Sequence, residues 1–163
     1  MKATALRQLH PIPPLFDAQS RVLILGSFPS VKSREAMFFY GHPQNRFWPL
    51  MAALMDCPVP KTVEEKTALI LTHHFALWDS IGQCTIAGSS DSSIRDVVPN
   101  DLTVILDHAP IERIYCNGGT SLKYFRRFIA PLIGRDAQML PSTSPANAAW
   151  SFERLLEAWR VIL

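Results

Sequence analysis

The segment between Gly26 and Trp48 concentrates side chains that could bind a planar polar molecule and act on it. It combines hydroxyl, imidazole, amide and guanidinium groups with several aromatic rings; its polar members include Ser27, Ser33, Tyr40, His42, Gln44, Asn45 and Arg46. Flat rings can stack on a planar ligand, while amides and hydroxyls can hydrogen-bond its edge. The alternative is a loop whose aromatic rings pack into the core, and for Phe38 and Phe39 we expect such packing.

A buried strand is expected directly before this segment. Residues 21–25 contain a continuous apolar run, which is typical of a parallel strand covered on both faces. Gly26 ends the run, and residues 27–30 form a tight turn. Ligands of open α/β sheets bind at the carboxyl ends of the strands. The sequence therefore predicts a pocket at this point.

Two further predicted strands also end in polar turns. Residues 111–116 are followed by the turn 117–120, and residues 137–140 are followed by the turn 141–147. If the strands are parallel, the three turns lie along one edge of the sheet. Turns rich in Ser, Pro and Gly allow backbone N–H groups to approach a phosphate without much positive charge.

Composition indicates an ordinary globular domain. The 163 residues are 48% hydrophobic and 18% charged, and the net charge is +2, so composition alone implies no polyanionic partner. The three cysteines are widely spaced without a CxxC pair, which argues against a disulfide framework, a structural zinc site or an iron–sulfur cluster. His73 and His74 are adjacent and make a poor metal pair. Without a long apolar segment, we expect a soluble, cytoplasmic protein.

Strands that alternate with helices predict an α/β fold, a single-domain three-layer α/β/α sandwich with a central, mostly parallel short sheet. Residues 1–20 form a Pro-rich lead-in packed on the body, and residues 21–163 form the single domain. Apolar periodicity and capping signals predict helices over 47–55, 62–72, from Asn100 or Asp101 to 108, from Thr120 or Ser121, and over 152–162. Residues 76–79 are predicted as a short strand, and 80–93 as a long Gly- and Ser-rich loop of the kind that is often functional.

Five motifs in order carry a resemblance to a known family. They are GSFPS, GHPQNRFW, LWDSI, GSSDSSI and PSTSPAN. Together they resemble the uracil-DNA glycosylase superfamily, and within it the hypoxanthine-DNA (deoxyinosine) glycosylase branch. The segment YGHPQNRFW is also similar to the mismatch-specific branch. Where that branch has a catalytic Asn in its first turn, this chain has Phe28.

The resemblance implies a monofunctional base-excision enzyme. It would flip a deaminated base, hypoxanthine, out of duplex DNA and hydrolyse its N-glycosidic bond, without a cofactor or metal and as a monomer. One alternative is an enzyme of the same fold that acts on uracil at G:U mismatches. Another is a catalytically weak binder of damaged DNA, an alternative that is retained because Phe28 replaces the catalytic Asn. A pocket for a free nucleoside is a third alternative.

The resemblance also suggests roles for individual residues. Tyr40 takes the place of the aromatic that stacks on the flipped base, with Phe28, His42 and Asn117 as further base-binding residues. Asn45 is the first candidate for a catalytic amide and Asn117 the second, while Ser27 could position water. An amide cannot serve as a general base near pH 7, but it can orient water and stabilise a departing base. The structural alternatives are a core tyrosine, a structural histidine, a loop-capping Asn45 and an Asx turn at Asn117.

The remaining candidates would contact the DNA backbone or close the pocket. The phosphate and intercalation group consists of Pro29, Ser30, Ser142, Thr143, Ser144, Pro145 and Ala146. The residues expected to close over the pocket are Ser89, Asp91 and Ser92. Basic candidates for backbone contacts are Lys32, Arg34, Arg46, Lys123, Arg126 and Arg127, of which the last three also fit a solvated helix face.

Overall fold

The computed structural model describes residues 4–163 and contains two sheets. The strands are β1 Ala5–Leu9, β2 Val22–Gly26, β3 Phe75–Asp79, β4 Ile81–Ala87, β5 Arg95–Pro99, β6 Arg113–Asn117 and β7 Gln138–Leu140. The α-helices are α1 Val31–Ala36, α2 Phe47–Leu54, α3 Val63–Thr72, α4 Thr103–Leu106, α5 Gly119–Tyr124, α6 Ala130–Ile133 and α7 Phe152–Trp159. Short 3₁₀ turns cover Asp91–Ser93 and Arg160–Ile162, and a π-helical turn, Phe125–Ile129, joins α5 to α6.

The larger sheet is parallel throughout and has the strand order β3-β2-β6-β7. Every residue of β2 is buried, as the continuous apolar run predicted for a strand covered on both faces, and every residue of β3 is buried as well. Helices flank this sheet: α3 packs against β3, α5 against β6 and β7, and α2 against α7. The rings of Phe47 and Trp159 join the last two helices with centroids 6.0 Å apart. The predicted α/β class with a mostly parallel central sheet is confirmed.

A second, antiparallel sheet has the strand order β1-β4-β5. The prediction of a loop over 80–93 was therefore wrong for its first half, which is strand β4. The Gly and Ser enrichment belongs to the hairpin tip, residues 88–93, between β4 and β5. Strand β4 pairs with β1, far away along the chain, from Ala5 opposite Ala87 to Leu9 opposite Gln83. Such long-range pairing, rather than a strong local pattern, determines this strand.

The N-terminal segment contacts both sheets. Strand β1 extends the small sheet, Ile12 is 3% exposed in the main core, and Leu15 forms an isolated bridge with Leu77 of β3. Within residues 4–163, no helix combines the length and the apolar character that crossing a bilayer requires.

Two predicted helix starts differ from the structure, and one is confirmed. Helix α5 begins at Gly119 without a side-chain cap, because Ser121 is buried and donates to the Leu25 carbonyl at 2.8 Å. Helix α4 is a single turn that follows Leu102, and Asn100 donates instead to the Asp79 and Ile81 carbonyls. Asp101, the other predicted cap, does accept from the Thr103 N–H through Oδ1 at 3.0 Å. Helix α3 starts as predicted, with Thr62 Oγ1 accepting from the Glu65 N–H at 3.1 Å.

Candidate active site

A cleft of about 780 Å³ runs along the carboxyl edge of the parallel sheet. The three polar turns predicted to share an edge meet there, together with the hairpin tip of the small sheet. Lining residues among the candidates are Ser27, Phe28, Pro29, Ser30, Tyr40, His42, Asn45, Ser89, Asp91, Ser92, Asn117, Ser142, Thr143, Ser144, Pro145 and Ala146. Gly26, Asp79, Asn147 and Trp150 also line it.

The cleft floor is a row of three residues on neighbouring strands. Gly26 is in register with Asp79 on one side, and Asn117 follows Cys116, the partner of Leu25, on the other. Side chains in register on parallel strands leave the sheet on the same face. A Cβ at Gly26 would lie 2.3 Å from Asp79 Oδ1 and 3.3 Å from the Tyr40 hydroxyl oxygen. The missing side chain at Gly26 therefore makes room for both groups.

Tyr40 presents an aromatic plate to this cleft. One face of its ring stacks on Phe47, with centroids 4.0 Å apart and planes at 23°, so its exposed surface belongs to the other face and the edges. Its backbone has φ 52°, an uncommon conformation for an aromatic residue. The next N–H, that of Gly41, donates to the buried Ser33 Oγ at 2.9 Å and holds the loop.

The hydroxyl of Tyr40 is buried and finds no hydrogen-bond partner within residues 4–163. Burial raises the pKa of this phenol and the nearby Asp79 carboxylate raises that pKa further, whereas the adjacent Asn117 side chain lowers it. The hydroxyl is therefore a neutral, unpaired polar group at the cleft floor.

Asn117 is held rigidly by Thr143. Its Nδ2 donates to Thr143 Oγ1 at 3.0 Å, and the Thr143 N–H donates to Asn117 Oδ1 at 3.1 Å. Thr143 is fully buried, so its side chain supports Asn117 instead of facing a phosphate as the sequence suggested. The amide keeps one proton and one lone pair free.

Asn45 and His42 share one loop on the cleft wall. Asn45 Oδ1 accepts from the Phe47 N–H at 2.9 Å at the start of α2, which leaves Nδ2 as the free end of the amide. His42 Nδ1 accepts from the Gln44 N–H at 3.1 Å, so in the neutral ring the proton lies on Nε2. Each side chain thus combines a loop-stabilising bond with one free donor.

Ser27 donates to both carboxylate oxygens of Asp91, at 3.0 and 3.2 Å. In addition, Ser89 Oγ accepts from the Val31 N–H at 2.9 Å, so the hairpin tip is docked on the first turn. More than a third of Asp91 is exposed, yet it stands in a concave wall, and loss of solvation there raises the pKa of its carboxyl. The hydroxyl proton of Ser27 is therefore used in the hydrogen bond that Asp91 accepts.

Phe28 lies between the cleft and the core of the small sheet. Its side chain lines the cleft, but it is 7% exposed and packs in the core of the small sheet with Ile81 and Ile86. Its ring also meets the His10 ring edge-on, with centroids 5.8 Å apart. Phe28 thus supports the cleft wall from within.

The loop after β7 is stabilised by its own side chains. Ser142 Oγ accepts from the Ser144 N–H at 3.1 Å, and Ser144 Oγ from the Ala146 N–H at 3.2 Å. Arg46 donates to the carbonyls of Asn147 and Trp150. Arg46 is therefore engaged with protein carbonyls, where the sequence suggested a contact with DNA.

The other basic candidates lie outside the cleft lining. Lys32 pairs with Glu35 at 3.8 Å and Arg126 with Asp136 at 3.1 Å, both exposed. Arg34 donates to the Gly88 carbonyl at 3.0 Å, and burial lowers its pKa. Lys123 and Arg127 lie over the rings of Tyr124 and Phe128.

One pair of cleft residues was missed by the sequence interpretation. Asp79 is 5% exposed, and its Oδ2 lies 2.6 Å from His10 Nε2, with both side chains buried. An acid at the end of an apolar strand was a usable signal, because that end faces the predicted pocket. His10 gave no signal, since only the path of the N-terminal segment brings it there.

Within residues 4–163, no group of three or more His, Cys, Asp or Glu side chains is arranged to hold a metal ion.

Comparison with known proteins identifies the family of this chain. Residues 13–162 match the Uracil DNA glycosylase superfamily. The chain belongs to this superfamily. A hypoxanthine DNA glycosylase of Methanosarcina acetivorans is 31% identical over 151 residues, covering 92% of this chain and 94% of the relative. One of Methanosarcina barkeri is 29% identical over 137 residues, covering 83% and 85%.

A solved structure agrees with this membership. The solution NMR structure of a candidate uracil DNA glycosylase from Methanosarcina acetivorans superposes with a TM-score of 0.76, at 27% identity, over 99% of each chain. The family resemblance is thereby confirmed, and it supports a DNA glycosylase role with DNA as the macromolecule bound.

Proposed function

We propose that this protein excises hypoxanthine from DNA by hydrolysing its N-glycosidic bond. One observation carries the substrate: both relatives described above are hypoxanthine DNA glycosylases, and they match most of the chain. The cleft supports the reaction class, because it combines an aromatic plate, oriented amides and two Ser- and Pro-rich loops at the end of a parallel sheet. Family membership favours uracil as the second candidate substrate.

Binding begins with extrusion of the damaged nucleotide. Unstacking costs a few kcal/mol, least at a mispair. Stacking on the free face of Tyr40 would return about 1–3 kcal/mol. The turns at 27–30 and 142–146, which follow β2 and β7, both line the cleft and are suited to bind the flanking phosphates through N–H and hydroxyl groups.

Bond cleavage places negative charge on the departing base and positive charge on the sugar. The bonding electrons move to the purine N9 and spread over the ring, while water adds to C1′ of the oxocarbenium-like sugar. The proton that this water loses is transferred through solvent to the departing base, so the products are neutral hypoxanthine and an abasic sugar. Asn45 Nδ2 and His42 Nε2, which donate to no acceptor within residues 4–163, are suited to the developing charge on the base. Asn117, held by Thr143, is the second amide available to orient the base or the water.

A monofunctional reaction is part of the proposal. A glycosylase that also cleaves the DNA strand attacks C1′ with an amine and forms a Schiff base. None of the lysines within the described residues lines the cleft. We therefore expect an intact abasic strand as the product. As the family resemblance implies, the proposed enzyme acts as a monomer and without a cofactor.

A single-turnover excision assay tests this function. Labelled duplexes with one hypoxanthine or one uracil are incubated with excess enzyme and EDTA, and abasic sites are then cut with alkali. We expect cleavage at hypoxanthine, and no strand scission before alkali. Cleavage at uracil alone would overturn the substrate, and no cleavage at either base, with salt-sensitive binding retained, would favour a damaged-DNA binder.

A further inference from the structure

The four tryptophans of the chain differ in what their indole N–H groups bind. Those of Trp48, Trp78 and Trp159 donate to backbone carbonyls at 2.9 to 3.1 Å. The N–H of Trp150 donates to no acceptor within residues 4–163 and stays accessible to solvent. Trp150 is half-buried and lines the cleft. Its N–H is therefore available to a molecule that binds at the cleft.

A positive charge lies directly on this indole. The guanidinium of Arg154 lies over the Trp150 ring, 4.1 Å from its centroid. Arg154 is exposed and its side chain makes no ion pair or hydrogen bond within residues 4–163, whereas Arg160 of the same helix pairs with Glu157 at 3.4 Å. A guanidinium that stacks on an aromatic ring keeps its planar fork of N–H donors for a further partner. Because Arg154 itself is outside the cleft lining, this contact places its charge at the rim.

Backbone hydrogen bonds hold both residues in place. Arg46 donates to the carbonyl of Trp150, and to that of Asn147 at 2.9 Å. Ser151, the N-cap of α7, accepts through Oγ from the Arg154 N–H at 3.2 Å. A site whose groups are already ordered loses less conformational entropy on binding. The pair is therefore a preformed set of hydrogen-bond donors with one positive charge.

We propose that Trp150 and Arg154 bind one phosphodiester group of the DNA at the rim of the cleft. The two side chains offer N–H donors and no acceptor, so they fit the anionic oxygens of a phosphate better than the mixed edge of a base. When one nucleotide enters the cleft, its neighbours in the strand cross the rim and bring their phosphates to this pair. The proposal goes beyond the excision function, since it rests only on DNA as the macromolecule bound.

The charge of Arg154 is tested through the salt dependence of binding. Affinity for a duplex with a tetrahydrofuran abasic analogue is measured by fluorescence anisotropy over a series of salt concentrations. Each phosphate charge that a protein cation neutralises contributes about 0.9 to the slope of log affinity against log salt. We expect Arg154→Ala to reduce this slope by about 1 and the affinity by roughly 10-fold. A slope equal to that of the wild-type protein would overturn the proposal.

Arg127 provides the matched control. Its guanidinium also lies over an aromatic ring, 5.0 Å from the centroid of Phe128, but Phe128 is not part of the cleft lining. Arg127→Ala removes the same charge from the same kind of contact and should leave the slope unchanged. Melting temperatures show that both variants fold. Equal reductions of the slope in Arg127→Ala and Arg154→Ala would mark a general effect of net charge and would contradict the proposed site.

Two conservative variants separate the charge from the hydrogen bonds. Arg154→Lys keeps the charge and loses the planar fork, while Trp150→Phe keeps a ring beneath Arg154 and loses the indole N–H. We expect both variants to keep the salt slope of the wild-type protein and to lose roughly 2- to 10-fold in affinity. Wild-type affinity in Trp150→Phe would overturn the assignment of the indole N–H.

Neutral phosphate analogues test the contact directly. A methylphosphonate replaces one phosphate at a time on either side of the abasic analogue. At one position, the replacement should weaken binding by the wild-type protein roughly 10-fold and binding by Arg154→Ala much less, because the variant has already lost the cation. Such non-additivity marks two groups in contact. Additive effects at every position would overturn the proposal.

These measurements require binding and not excision, so the two proposals fail separately. If the wild-type protein excises neither hypoxanthine nor uracil but the coupling between Arg154 and one phosphate is present, only the excision function fails. If hypoxanthine is excised and the coupling is absent, only the phosphate site at Trp150 and Arg154 fails.

Discussion

Asn117 and Thr143 form two hydrogen bonds with each other, and together they join the end of β6 to the loop after β7. The bonds measure 3.0 and 3.1 Å, and both residues are at most 9% exposed. Because each end of the amide is tied by one bond, its remaining donor and acceptor have fixed directions. Such fixed dipoles need little reorganisation when charge develops in a reaction.

This pair predicts unequal effects of two substitutions. Asn117→Ala removes the amide, and we expect single-turnover excision to fall roughly 100- to 1,000-fold, the scale seen when one oriented donor is lost. Thr143→Val removes the hydroxyl acceptor but keeps the backbone N–H bond, so its effect should be smaller. Melting temperature and affinity for abasic duplex serve as controls. Equal activity of Asn117→Ala and wild type would exclude a role for this amide in the reaction.

Asn45 stabilises its loop through Oδ1, which accepts from the Phe47 N–H, and it presents Nδ2 as a hydrogen-bond donor. Two variants distinguish these two contributions. Asn45→Ala loses both and should destabilise the fold by about 1 kcal/mol. Asn45→Asp keeps an oxygen for the Phe47 N–H but loses the Nδ2 donor. We expect both variants to reduce excision far more than DNA affinity, measured by single-turnover rates and by fluorescence anisotropy. Wild-type rates in Asn45→Ala would show that the catalytic assignment is wrong even if the enzyme class is right.

The parallel sheet could be predicted because its signal is local. The apolar run at Val22–Leu25 requires burial on both faces, and the polar residues after each strand mark the carboxyl edge. The small sheet could not be predicted, because β4 becomes a strand by pairing with β1, which is distant along the chain. In addition, the Gly- and Ser-rich hairpin tip directly after β4 made the whole segment resemble a loop. Local pattern thus determined one sheet and tertiary pairing the other.

The same distinction applies to the cleft. The meeting of the turns at 27–30, 117–120 and 141–147 follows from strand direction alone. The burial of Thr143 and the contact between Asp79 and His10 depend on how loops and the N-terminal segment cross the sheet, which no spacing in the sequence reveals.

Two substitutions of Tyr40 separate the contribution of its aromatic ring from that of its hydroxyl. Tyr40→Phe removes a buried hydroxyl without a hydrogen-bond partner among the described residues, so stability should hold or rise by up to about 1 kcal/mol. The stack on Phe47 is kept, and excision should stay close to that of wild type. Tyr40→Ala loses the plate, and both affinity and excision should fall roughly 10- to 100-fold. A Tyr40→Phe variant as impaired as Tyr40→Ala would assign the function to the hydroxyl.

Asp91 predicts a pH dependence of stability with a defined sign. The pKa of its carboxyl is raised above the ordinary 3.8, so the folded protein holds this proton more tightly than the unfolded chain. The stabilisation is fully present below the unfolded pKa and is lost as pH rises through the folded one. Asp91→Asn stays neutral and can still accept from Ser27. Its melting temperature should therefore match wild type at low pH and exceed it increasingly toward neutral pH.

Asp101 provides a control of opposite sign for that measurement. Hydrogen bonds from Thr103 lower the pKa of its carboxyl, so its stabilising effect is present above the ordinary pKa and lost as pH falls through the lowered one. Asp101→Asn should thus melt below wild type near neutral pH and approach it in acid. Thermal unfolding of the three proteins across a series of buffers gives both differences. A constant offset between Asp91→Asn and wild type at every pH would show that the Asp91 proton is held equally in the folded and unfolded states.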